Sequence, residues 1–181
     1  MTDLDSATTA TATPDLKPPL NPPAETLPPA NLYEHRYQLL EALLGSPLPS
    51  LPTSQPLHLQ AEGQLDLVIE ALPRCEETGG AILTLAHYAR LGSHLCSDPS
   101  MVLRYFPPGD LSYLHLVPST DPSRGRLEAL HLQQEVPFFF LNAYLRGNHF
   151  LPALRDEVNR YLGSWLQTLE IQGYSPLPAT T

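Results

Sequence analysis

Arg104 stands among apolar neighbours in Met101–Phe106, MVLRYF. A guanidinium held in such a segment has two chemistries open to it. It can form a structural ion pair with Asp110 or with a glutamate from a neighbouring strand, or it can clamp an anionic ligand. A ligand site would draw Asp110, Asp156 and Glu157 towards Arg104, with the arginine holding the anion and a carboxylate acting as base. Against catalysis, Asp156/Glu157 and Glu76/Glu77 are neighbours in sequence, and a hydrolytic pair must face across a cleft. Asp156 and Glu157 near a helix start complement the helix dipole without further function. No catalytic residue is assigned.

Other chemistries have less support. No Walker motif and no Gly-rich phosphate loop opens a helix, and the one lysine, Lys17, lies far from any core segment. Gly163-Ser164-Trp165 lacks the second glycine of a nucleophile elbow. His87, His94 and Cys96 would converge if the chain turned at Gly92, but their spacing is not that of a zinc site, so no metal and no cofactor are expected. Cys75 and Cys96 form no CxxC; with no export signal in view, two buried free thiols are expected rather than a disulfide.

The run Phe138, Phe139, Phe140, followed by Tyr144, offers large apolar area. Successive helical residues turn by about 100°, so three aromatics cannot all face one core from a helix. At least one should face the second helix or a partner. Aromatic anchors of this kind make Phe138, Phe139, Phe140 and Tyr144 candidates for binding a protein.

Charge narrows the partners. Ten basic residues against 19 acidic ones give a net charge of -9. The arginines are scattered, so nucleic acid is not expected as a partner, and the same field opposes an anionic membrane surface. No segment reaches the roughly 20 apolar residues of a membrane-spanning helix. A cytoplasmic, bacterial-type setting follows as an expectation.

The elements that must position these residues are legible from periodicity. Residues 1–30 hold seven prolines and no aromatics, and read as a disordered Pro-rich tail. Residues 31–174 read as one α+β domain, and 175–181 as a loose end. Asn31 and Glu34 resemble a capping box, and Tyr33, Tyr37, Leu40 and Leu44 recur at helical spacing up to Gly45. From Leu57 the period becomes two. Strands are expected in LHLQAEG, QLDLVIEAL, GAILTLAHY, MVLRYF and LSYLHLV, the last two as a hairpin around Pro107–Asp110, with LEALHL as a sixth strand or a short helix. Pro137 to Gly147 is expected to be a helix, with proline at its first position. A longer one from about Leu151 to Gln172 carries Leu154, Val158, Leu162, Trp165, Leu166 and Leu169 on one stripe. The fold expected is an antiparallel sheet of about five or six strands, packed by an N-terminal helix and C-terminal helices.

Two segments resemble the YqiB-like family of small bacterial proteins, a domain of unknown function. In SMVLRYF, Ser100, Met101 and Arg104 keep the family spacing and Phe106 stands for its tyrosine. In NRYLGSWLQTLEIQGY, Asn159, Leu162, Trp165, Leu166 and Gly173 match, with Tyr161 for phenylalanine. The likeness covers about residues 33–174. Pro107–Asp110 replaces the family's His-Asp-Ala turn and Val158 its lysine, so no role of those residues carries over. The resemblance implies an α+β fold and a cytoplasmic setting, and assigns no activity. The residues therefore point first to a non-enzymatic protein-binding domain. The alternative is a small enzyme or anion-binding protein centred on Arg104.

Overall fold

A computed structural model describes residues 30–53, 55–72, 80–135, 137–145 and 149–177. The Pro-rich stretch through residue 29, Cys75, Glu76 and Glu77 lie outside the described residues. The order is α1 (Ala30–Leu44), a 3-10 turn (Leu48–Ser50), β1 (Leu57–Gln60), β2 (Leu67–Leu72), β3 (Ala81–Leu91), β4 (His94–Phe106), β5 (Arg126–Glu135), β6 (Phe138–Asn142), α2 (Pro152–Ile171) and β7 (Ser175–Pro176). The strands form one antiparallel sheet in the order β6-β5-β4-β3-β2-β1-β7. The α+β class holds; among the described residues there are seven strands, with α1 before β1 and α2 between β6 and β7.

Alternation sorts the strands into two faces. Leu83, Leu85, Met101, Leu103, Tyr105, Leu127 and Ala129 turn towards the helices. There they join Tyr37, Leu40 and Leu44 of α1 and Val158, Leu162, Trp165, Leu166 and Leu169 of α2 in the main core. Trp165 lies 5.4 Å from the ring of His87 on β3, so the indole is seated on the sheet. Gly125 fixes how close α1 comes: a Cβ there would fall 2.3 Å from the Tyr37 ring.

Three expected elements differ. Residues 138–142 are a strand, not a helix. β6 pairs with β5 from Glu135↔Phe138 to His131↔Asn142, and Pro137 suits the position before a strand as well as a helix N-terminus. Phenylalanine favours the pleated surface, and the strand's period of two separates the three rings between faces. The segment 111–117 is a turn: Leu116 and Val117 both donate backbone N–H to the Tyr113 carbonyl. Asp110 starts it by accepting from the Ser112 N–H at 2.8 Å. The hairpin partner of MVLRYF is therefore β5 on one side and β3 on the other. Finally Ser175–Pro176, expected in the loose end, pairs with β1.

Candidate functional site

Two features stand out: a buried network of charges, and an aromatic edge strand. The network begins with a cross-strand pair. Arg104 on β4 lies opposite Glu128 on β5, and neither side chain reaches solvent. Arg104 donates to Glu128 Oε2 from Nε at 3.2 Å and from Nη2 at 2.6 Å. The Tyr144 hydroxyl donates to Glu128 Oε1 at 2.8 Å and accepts from Arg104 Nη2 at 2.8 Å. Arg155 adds a second cation, its Nε 2.5 Å from Glu128 Oε1. Its Nη2 donates to the Leu116 carbonyl. One glutamate thus serves two arginines and a phenol.

The open edge of β5 makes this possible. β6 pairs with β5 from His131 to Glu135, and just beyond it the Ala143 N–H donates to the Leu130 carbonyl at 2.9 Å, so among the described residues no strand covers the outer side of Arg126–Ala129. The N-terminal half of α2 lies there instead. Asn159 presents its side-chain amide as a strand would: Oδ1 accepts from the Ala129 N–H at 3.0 Å, and Nδ2 donates to the Ala129 carbonyl at 3.2 Å. One turn earlier, Arg155 reaches Glu128 around the same edge.

The loop from Pro107 to Gly125 closes the network from the other end. Arg126 gathers three carbonyls of that loop, those of Val117, Asp110 at 2.6 Å and Ser112 at 3.0 Å. Glu34 of α1 grips it too, accepting from Ser119 Oγ at 2.6 Å, the Thr120 N–H at 2.6 Å and the Asp121 N–H at 2.9 Å. Glu34 therefore clamps a loop some 85 residues away in sequence. Burial alone would raise its pKa, yet these hydrogen bonds hold it below the ordinary glutamate value. Burial, with the Glu128 charge, drives the Tyr144 phenol well above its ordinary range, so Tyr144 remains a donor. Burial works to lower the pKa of Arg155, but Glu128 together with Tyr144 and Tyr33 raises it on balance.

The sequence candidates separate. Arg104 is at the centre of the network and Asp110 at its rim, where the Asp110 carboxylate holds the Ser112 hydroxyl and its carbonyl holds Arg126. Asp156 is half exposed and pairs along α2 with Arg160. Glu157 is exposed on α2. Tyr144 belongs to the buried network. Phe139 packs against the main core, whereas Phe138 and Phe140 are 74% and 49% exposed. Glu128, Arg155 and Arg126 escaped sequence reasoning; Glu34, expected in a capping box with Asn31, lies within α1 and grips the Ser119–Asp121 loop instead, and Asn159 entered only as a match in the family resemblance. Arg126 and Glu128 alternate with Leu127 and Ala129 and so read as the wet face of a strand; nothing local signals that the Pro107–Gly125 loop covers that face.

The second feature is β6 itself. It ends the sheet, pairing only with β5 among the strands. Phe138 and Phe140 share one face, and the Phe140 ring lies 5.4 Å from that of His131 on β5. Phe139 and Leu141 take the opposite face and lean on the core.

Among the described residues no group of three or more histidine, cysteine, aspartate or glutamate side chains is placed to hold a metal, and no helix is long and apolar enough to cross a membrane. Cys96 is buried and free. Residues 38–175 match a protein family described as a domain of unknown function (DUF6908). No curated protein and no solved structure shows a match. The likeness to YqiB-like proteins gains no support from these comparisons.

Proposed function

The chain belongs to the DUF6908 family, and from that premise we propose that it is a non-enzymatic domain that binds an extended segment of another protein along β6. The supporting observation is the pair of exposed rings, Phe138 and Phe140, on an edge strand. Edge strands normally carry charge, proline or a covering loop that discourages pairing. Between Phe138 and Asn142 the residues are FFFLN, with no charge. An added strand would gain main-chain hydrogen bonds from the outer edge and apolar contact from the two rings. The fitting partner segment alternates, with large apolar side chains on the face of Phe138 and Phe140. A cytoplasmic setting is part of the same proposal.

A catalytic reading around Arg104 has less behind it. Its neighbours are spent on one another: Glu128 binds two arginines and Tyr144, while Asp156 pairs outward with Arg160.

The test pairs a Phe138→Ser/Phe140→Ser double variant with Ile171→Ser, which alters another strongly exposed apolar side chain, on α2. Proteins captured by the wild type are purified and titrated back. At least one should bind the double variant about tenfold or more weakly, bind Ile171→Ser as it binds wild type, and leave both melting temperatures unchanged. Binding that ignores the two rings, or capture of no protein that needs them, contradicts the proposal.

A further inference from the structure

We propose that, on the reading of β6 as an edge that accepts a strand, a second copy of this chain pairs with it about a two-fold axis at Phe140, and that an outside segment must displace that copy. Among the described residues β6 meets only β5 in the sheet, from Glu135↔Phe138 to His131↔Asn142. Beyond Asn142 the N-terminal half of α2 takes the outer side, where Asn159 bonds to Ala129. An added strand is thereby held to the length of Phe138–Asn142. That length is self-complementary. In antiparallel pairing centred on Phe140, the two Phe140 residues face each other, each Phe139 faces the other chain's Leu141, and each Phe138 faces the other chain's Asn142. Apolar meets apolar in all but the outermost pairs, and no like charges are opposed. A centre at Phe139 would bring Pro137, which has no N–H to give, opposite Leu141, and a centre at Leu141 would set Phe140 against Asn142.

An axis normal to the sheet sets the Phe138 and Phe140 rings of both chains in one row on one face. At 74% and 49% exposure they hold roughly 250 Å² of open ring surface per chain. Two such patches fall well short of the roughly 1,200 Å² of a stable interface, so the dimer is weak. The net charge of -9 on each chain also opposes it. That weakness suits a contact that gives way to a better strand. An isologous contact uses up the same edge on both copies, so assembly through β6 stops at two chains.

The full chain alone is sedimented at concentrations from about 1 µM to about 1 mM, the range of weak association. Its mass should rise with concentration from 20.0 kDa towards twice that and no further. Added salt should favour the rise by screening the two negative chains. Phe140→Lys sets like charges face to face; it should melt as the wild type does and stay a single chain throughout. On oxidation, Phe140→Cys should cross-link to its own copy far more than Phe138→Cys, because only position 140 lies beside its mate. A monomer at every concentration, a dimer that survives Phe140→Lys, growth beyond two chains, or equal cross-linking at the two positions overturns the proposal. Slow amide exchange in β6 of the dilute monomer would give the edge to a segment of the same chain and overturns it too. No second protein is present, so a lasting monomer counts against the dimer alone, and capture of other proteins through the two rings stands or falls on its own test.

Discussion

Glu128 ties two buried guanidinium groups together. A buried ion pair adds little net stability when intact, but removing one partner leaves the other charged and dry. Glu128→Gln keeps the shape and removes the one charge that Arg104 and Arg155 share. Denaturant unfolding should show a loss of roughly 3–5 kcal/mol. A loss under about 1 kcal/mol would mean that water or a neighbouring group supplies the missing charge. The arginine of this pair was visible in the sequence, because an arginine among apolar strand residues needs a partner. The acid was not. Glu128 lies in LEALHL, where a glutamate opposite leucines is as well explained by a wet strand face.

The meeting of α2 with β5 explains why that network stays closed. A strand left bare over part of its length exposes backbone donors and acceptors, and β6 is too short to cover Arg126–Ala129. Asn159 supplies both missing partners for Ala129 and also donates to the Arg155 carbonyl at 2.9 Å. Asn159→Ala would leave the Ala129 N–H and C=O unpaired in a dry place. The expected cost is about 3 kcal/mol, since each orphaned buried group costs about 1–3 kcal/mol. Asn159→Asp should fare no better, because a carboxylate cannot donate to the two carbonyls. Equilibrium unfolding of both variants checks this, and a neutral Asn159→Ala would show that α2 is not closing the edge. Periodicity revealed α2 and its apolar stripe well, Trp165 included. It could not reveal that the polar Asn159 is turned inward, since an apolar stripe at helical spacing marks only the apolar residues of the buried face. The error at Phe138–Asn142 has a related cause. Five residues after a proline fit a first helical turn or a short strand equally, and only the register with Gln133 and Leu132 decides between them.

The molecule as a whole has a closed side and an open end. The helices cover one face of the sheet, the Pro107–Gly125 loop and the Tyr144–Phe150 bridge close over the Arg104–Glu128 pair, and β6 is left with two rings in solvent. The overall class, the strands LHLQ, LVIEAL, AILTLAHY and MVLRYF and the long last helix were readable because each carries several matches to one period, whereas the His94–Ser100 half of β4 was not. The edge position of β6 was not, because strand order comes from pairings between distant segments. The proposed division of labour is a buried charge network that fixes the scaffold and an apolar edge that meets other chains. Hydrogen exchange on the complex with a captured partner tests that division most directly. The account predicts slowed exchange in the peptide covering Phe138–Asn142 and no change in the peptide covering the end of α2. Protection elsewhere, with β6 exchanging as fast as in the free chain, would contradict it.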